Sequence, residues 1–377
     1  MFNFSELRKH LHQHPEVSGE EWQTSEYLKK YLVQFSPTRF VDLADAGFAV
    51  IFESGNTGKT VLIRTELDAL PIQEINDFAH KSQTEGISHK CGHDGHMSML
   101  CGVADKLSRQ KLEFGKAILL FQPAEETGKG AKRILEDESF QNLPKPDFVF
   151  ALHNIPKMPA GAILLKDDVF TASVKSWAIK LKGKTAHAAS PEHGVNPALA
   201  ISELIQETQK LIQPNPENTD FQLITPIHIN MGELAYGISA GEAEIHFTIR
   251  TWQNMQMEVL VEELEKLLET ICSTYNLKFR SEWLEEFYAN QNNSEAMSWL
   301  RKVAKEHQFK VQELSAPFKF GEDFGLFTTK FKGAMFGLGA GENHPELHNP
   351  DYDFPDEIAP IGIQMFESLI REIAESD

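Results

Sequence analysis

From residue 47 onward the chain alternates short apolar runs with helical stretches, and this alternation is interrupted once and then resumes. GFAVIFE (47–53), TVLIRT (60–65), KAILLFQ (116–122) and DFVFALH (147–153) have the length and the branched or aromatic content of strands. Helical periodicity covers 3–13, 20–34, GHMSMLCGVADKL after Asp94, and 129–137. Strands alternating with helices predict an α/β fold, a mixed and largely parallel sheet with helices on both faces. The turn SGNTGK between the first two runs predicts a hairpin, and Ser18 and Asp94 are predicted helix caps.

The interruption begins near residue 172. VKSWAIKLKG, FQLITPIHI, AEIHFTIRTW and LKFRSEWLE read as strands, and NPALAISELIQETQKLI and MQMEVLVEELEKLLETICSTY as amphipathic helices. Four strands and two helices over 172–282 form an inserted α+β domain, leaving 1–171 and 283–377 as one discontinuous domain. After 294 the helix–strand alternation returns with SEAMSWLRKVAKEH, GAMFGLG and DEIAPIGIQMFESLIREIA. GNTGKT (55–60) ends like a phosphate-binding loop, but Glu53 stands where its first glycine belongs and a strand follows, so that reading fails.

Composition narrows the function classes. A net charge of −19 argues against nucleic acid and anionic membranes as partners and suits a site that gathers divalent cations. Three cysteines, Cys91, Cys101 and Cys272, do not make a disulfide framework, and the expected compartment is the reducing cytoplasm. The N-terminal MFNFSELRKHLHQHPEV has no apolar leader core, and no run reaches the length of a membrane span.

The polar residues fall in a pattern. Glu66 and Asp68 follow TVLIRT, Glu125 and Glu126 follow KAILLFQPA, His153 ends DFVFAL, and His348 lies a loop beyond AMFGLG. All lie at or beyond the carboxyl ends of predicted strands, where open α/β sheets bind ligands. The stretch SHKCGHDGHMSML (88–100) adds a cysteine, an aspartate and three histidines at a loop-to-helix junction. Cap and core chemistry, a thiol nucleophile and metal ligation are the three readings of that cluster. Thiolate and imidazole favour zinc and carboxylates also admit manganese, while the C-x-H spacing is too short for a zinc finger. His10, His12 and His14 read as helix surface and turn, and Cys101 and Cys272 as core.

LRKHLHQHPEVSGEE, RTELDALPI, HKCGHDGH, FQPAEE, ALHNIP, GKTAHAASPEHGVNP, GEDF and LHNPDYDF occur in one order across nearly the whole chain. In these stretches the sequence resembles the aminoacylase-type co-catalytic metallopeptidases. It is most similar to their amidohydrolase subgroup of auxin-conjugate hydrolases, hippurate hydrolases and N-acetyldiaminopimelate deacetylases. The resemblance implies a two-segment catalytic domain, a lid domain between the segments that can carry a homodimer contact, and two divalent metal ions, zinc or manganese. It places the metal ligands on Cys91, His93, Glu126, His153 and His348, the general base on Glu125, and the acid of the strand-end motif on Asp68. It matches His187 to a lid histidine that reaches the substrate carbonyl, often from a partner subunit.

The implied reaction is hydrolysis of the amide bond of an N-acyl amino acid. A dipeptidase or carboxypeptidase of the same clan is the alternative, and an inactive metal-binding scaffold a further one. HKCGHDGH favours the amidohydrolase, since typical exopeptidases have an aspartate bridge there. The chain departs from its relatives at Gly237, usually an asparagine, at Phe247, usually a glycine, and at Glu66, where related exopeptidases have a histidine ligand. The first two bear on substrate specificity.

Overall fold

Asn3 caps the first helix, its side chain accepting from the Glu6 N–H, in the computed structural model, which describes residues 2–376. Helix α1 (Phe4–Gln13) turns Leu7 and Leu11 inward, and Arg8 and His12 are buried with them. Helix α2 (Trp22–Leu32) starts after Glu21, so Ser18 is too far upstream to cap it; the Ser18 hydroxyl donates to Asp68 instead (2.7 Å). Next come β1 (Arg39–Asp42), β2 (Phe48–Glu53), β3 (Thr60–Glu66), α3 (His93–Arg109), β4 (Lys116–Gln122), α4 (Gly130–Glu136), α5 (Glu138–Gln141), β5 (Phe148–Pro156), β6 (Ile163–Leu165) and β7 (Asp168–Val169).

A second unit follows, with β8 (Ser173–Lys182), β9 (Ala186–His187), α6 (Ala198–Lys210), β10 (Gln222–Met231), β11 (Ile238–Ser239), β12 (Glu242–Thr251), α7 (Asn254–Thr274) and β13 (Lys278–Phe287). The first unit resumes with β14 (Gln291–Asn292), α8 (Ser294–Glu306), β15 (Val311–Glu313), α9 (Gly325–Thr328), β16 (Gly333–Gly341) and α10 (Ala359–Ala374). The smaller unit spans Thr171–Ala289 and takes in Ala316–Gly321; the larger is the remainder.

The larger unit is built on an eight-stranded mixed sheet in the order β1-β2-β4-β3-β5-β16-β6-β15. Its middle strands β4, β3, β5 and β16 are mutually parallel. Val61 and Ile63 of β3 and Leu119 of β4 join the core formed with α3, α8 and α10. The intervening Leu62, Ile118 and Leu120 point to the other face and are equally buried; α4 and α9 pack against β4 and β16. Burial on both faces explains why these strands read as unbroken apolar runs.

The predicted hairpin of 47–53 with 60–65 does not form. β4 lies between them, antiparallel to β2 and parallel to β3, and β2 makes its hairpin with β1, an element absent from the sequence reading. A tight polar loop is compatible with either pairing; the choice comes from β4, which supplies an apolar partner to both runs.

The smaller unit is a four-stranded antiparallel sheet, β10-β12-β8-β13, whose core combines Trp177 and Ile179 with Ile245, Leu204, Leu260 and Leu264. Phe247 is fully buried here, its ring 5.9 Å from that of Trp177, so it fills the core of the sheet.

Candidate metal centre

Four adjacent parallel strands end at one edge of the large sheet, and the polar residues gather there. Glu66 is the last residue of β3, and Asp68 lies two residues on. Beyond β4, Ala124 adopts a left-handed backbone (φ 54°) after Pro123, and its N–H donates to the buried Glu21 carboxylate (2.7 Å). That elbow presents Glu125 and Glu126. His153 lies within β5, and His348 follows β16 on a loop, itself in the left-handed region (φ 63°).

Glycine shapes the cysteine–histidine stretch. Gly92 is the N-cap of α3 at φ 95°, and a Cβ on it would meet the Asn154 side chain. The cap is therefore Gly92. Asp94, expected as the cap, sits inside the first turn with its carboxylate on His12 Nδ1 (2.8 Å) and Arg8 Nη1 (3.2 Å). His12 also reaches Glu74 (3.1 Å) and is fully buried, which corrects its reading as helix surface. A helical period locates the inward face but cannot say that the residue beneath it is a carboxylate.

His12 is the source of a pH effect. Burial lowers its pKa, but hydrogen bonds to Asp94 and Glu74 outweigh this and bring it up to about 9. A folded value above the ordinary one of about 6.5 means stabilisation that is complete below that value and lost as pH rises through about 9. His12→Gln is expected to lower stability by roughly 2 kcal/mol at pH 6, with the gap narrowing by pH 10. Urea midpoints of the metal-free protein measure this, and a pH-independent gap would refute it.

The residues expected to bind metal converge. Cys91 Sγ is 3.4 Å from His153 Nε2, and His348 Nε2 is 3.5 Å from Glu126 Oε1. His93 Nε2 lies 3.9 Å from Glu125 and 4.0 Å from Glu126. The two buried imidazoles expected as ligands commit Nδ1 to a carbonyl: His93 to Asp68 O (2.8 Å) and His153 to Asn154 O (2.9 Å). An Nδ1–H donated to a carbonyl leaves the Nε2 lone pair facing the cluster, the arrangement of metal-ligating histidines. His93 Nε2 and Glu126 Oε1 are buried without a hydrogen-bond partner among the described residues. These orphaned atoms, with a thiol and carboxylates beside them, fit a divalent cation.

The charges agree. Burial lowers the pKa of His93, but the Asp68 hydrogen bond and the Glu66 charge bring it up to about 10, the mark of a site crowded with anions. Burial pushes the Cys91 thiol well up, and Glu126 and Glu125 add to this; burial pushes His153 down to about 3. A nucleophilic thiol needs a lowered pKa and a cationic or basic neighbour. Cys91 has the His153 imidazole beside it, but its pKa is raised rather than lowered, and His153 is itself held neutral by burial, so the pair does not favour a free thiolate; a bound cation would. Burial, with Glu322 and Glu126 nearby, raises Glu125 well above the ordinary carboxyl range.

Asp68 serves both sides of the cluster. Besides orienting His93, its carboxylate accepts from Glu126 N (2.9 Å) and Ser18 Oγ. Glu66 pairs with Arg64 and with His96 Nδ1 (2.8 Å), its donor atom lies within 4.8 Å of those of His93 and His96, and His96 in turn bonds Asn154, the neighbour of His153. Arg64 also holds Glu322 (3.0 Å) and Asp323, the acids of GEDF. Arg64, Asn154 and this acid pair escaped the sequence reading, although all lie inside the quoted motifs; His96 was part of the 88–100 cluster but had no role of its own there. The third histidine of the cluster, His89, is buried, and burial drives its pKa down to about 3.

His187 belongs to the smaller unit. It lies in β9 opposite Ile238 of β11, is exposed, and its Nδ1 accepts from Ala189 N (3.0 Å). Gly237 O accepts from Ala188 N (2.9 Å), so Gly237 belongs to the segment that holds the His187 turn.

The chain is similar to known proteins over most of its length. The model of the family described as Peptidase family M20/M25/M40 matches residues 62–372. An N-acetyldiaminopimelate deacetylase of Lactobacillus helveticus is 31% identical over 93% of this chain and 92% of its own length. An N-acetyl-L-cysteine deacetylase of Bacillus subtilis is 32% identical, over 96% and 85%. A Bacillus subtilis crystal structure described as a dinuclear metal binding peptidase of the M20 family superposes with a TM-score of 0.83 at 25% identity, covering 99% of this chain and 98% of that one.

Proposed function

Because the chain belongs to the M20/M25/M40 peptidase family, we propose that it is a metal-dependent amidohydrolase that removes the acyl group from an N-acyl amino acid. The observation that carries this is the pair of imidazoles whose Nδ1 atoms are tied to carbonyls and whose Nε2 atoms face Cys91, Glu125 and Glu126. Cys91, His93, Glu126, His153 and His348 would hold two divalent ions, zinc or manganese. When bound, such a pair acidifies a water and polarises the scissile carbonyl. Asp68 positions His93 and Glu126. Glu125 takes the proton of the attacking water and delivers it to the leaving nitrogen, a task that suits a carboxyl with a raised pKa.

His187 is the proposed substrate-facing donor. One hydrogen bond to a developing oxyanion is worth about 10²–10³ in rate. His187→Ala is therefore expected to keep its metal and fold while kcat falls by about that factor; an unchanged kcat removes His187 from the mechanism.

The smaller unit is also the proposed lid and homodimer contact. β10 is an edge strand, and Ile227, Ile229 and Met231 on it are exposed, with Leu234, Tyr236 and Ile238 beyond. An apolar edge of this kind favours pairing with a second copy. Three free, buried cysteines support a reducing, cytoplasmic setting; no helix among the described residues is long and apolar enough to cross a membrane.

The test is metal content by plasma emission together with amino-acid release from a panel of N-acyl amino acids and dipeptides. Two ions per chain and preference for the acyl compounds are expected. Preference for dipeptides would make the protein a peptidase, and bound metal without turnover of either class would make it a scaffold.

A further inference from the structure

His348 is the least secured of the proposed ligands. Its side chain is 51% exposed, its backbone is left-handed, and it stands on a loop between β16 and the last helix. A half-exposed imidazole on irregular backbone holds a metal only if something fixes the loop.

Lys90 grips that loop at two points. Its carbonyl accepts from the His348 N–H (2.8 Å), and its Nζ donates to the carbonyl of Tyr352 (2.7 Å). The same Nζ pairs with Glu74 Oε1 (2.5 Å), and the Lys90 side chain is fully buried. Burying an ion pair is costly unless its geometry is good and its remaining hydrogen-bonding positions are filled. Glu74 meets that condition, since it also binds His12, Asn76 and the Ser82 N–H. Lys90 directly precedes Cys91, and Cys91, Glu126 and His348 form one group of donor atoms within 4.8 Å of one another. A second group, Cys91, His93 and His153, does not use the loop.

We propose that Lys90 is a positioning residue for one metal position, locking His348 at a fixed separation from Cys91 while leaving the position built on His93 and His153 independent of it. This rests on the ligand assignment of the preceding section. The side chain acts without touching metal or substrate. Its two contacts, a backbone one to His348 and a side-chain one to Tyr352, set the loop that carries the ligand.

The test is zinc affinity, measured as occupancy across a series of chelator-buffered free-zinc concentrations, for wild type, Lys90→Met, Lys90→Arg and His348→Ala. Lys90→Met keeps an unbranched apolar stem and removes the Nζ donor. Loss of an outer partner of a metal ligand costs about 10–100-fold in affinity. One of the two ions in Lys90→Met is expected to weaken by about tenfold or more with the other unchanged, reproducing the pattern of His348→Ala. Lys90→Arg, which restores a cationic donor, is expected to recover part of the loss. Equal weakening of both ions, or of neither, overturns the proposal. Should Lys90→Met fail to fold, Glu74→Gln, which keeps an acceptor oxygen but removes the ion pair, is read by the same criteria. If wild type itself binds fewer than two ions, it is the ligand assignment that falls; if it binds two and Lys90→Met shows no selectivity, only the role of Lys90 falls.

Discussion

Glu125→Gln is expected to abolish turnover while bound metal stays at the wild-type level. Glutamine has the same shape and can still accept the Asp323 N–H, which reaches Glu125 Oε1 at 3.4 Å, so the elbow that presents the residue should survive. What it cannot do is take a proton. Removal of a general base costs about 10²-fold or more. The adjacent Glu126 cannot substitute: its orphaned Oε1 points at His93 and His348, as a ligand's would, and its N–H is held by Asp68. Two neighbouring carboxyls thus have different duties because one is turned into the donor cluster and the other is buried, and burial, with Glu322, Glu126 and Asp323 nearby, raises its pKa. Single-turnover rates and plasma emission on the same preparation decide the matter. A variant with more than a few per cent of the wild-type rate would remove Glu125 as the base.

Cys91→Ala is expected to lose metal and activity together. Cys91 takes part in a donor group with His93 and His153 and in another with Glu126 and His348, so its removal strips a ligand from each of these two. Loss of an outer partner costs about 10–100-fold in metal affinity, and loss of a ligand should cost at least as much. Part of the activity should return at high metal concentration, because binding of a weakened ligand set is restored by mass action. A nucleophilic thiol makes the opposite prediction: full metal occupancy with no activity at any metal concentration. Burial and the nearby acids hold the metal-free thiol well above its ordinary pKa, which is the physical reason for expecting the first outcome.

Much of this was legible in the chain itself. The runs at 60–65, 116–122 and 147–153 became β3, β4 and β5, since strands covered on both faces must be apolar at every position. The acids and histidines after those runs came to one edge, as the ends of parallel strands do. Short elements were not legible. β6 and β15 have three residues each, too few for a period to show, and they pair with each other only because the sheet provides a place.

What the sequence determined by itself was the α/β alternation and the set of polar residues following the strands. Each is a local signal, carried by residue type and spacing within a few turns. Tertiary structure alone decided which runs became neighbours, as in the insertion of β4 between β2 and β3. It alone turned His12 from a helix histidine into the partner of Asp94 and Glu74, and Asp94 from a cap into the partner of Arg8 and His12. It alone buried Lys90 against Glu74 and the His348 loop. These choices join residues separated by 16 to 262 positions. A buried charge is tolerated only where a partner of opposite sign arrives from elsewhere in the fold, and no local pattern of the chain records which residue that will be.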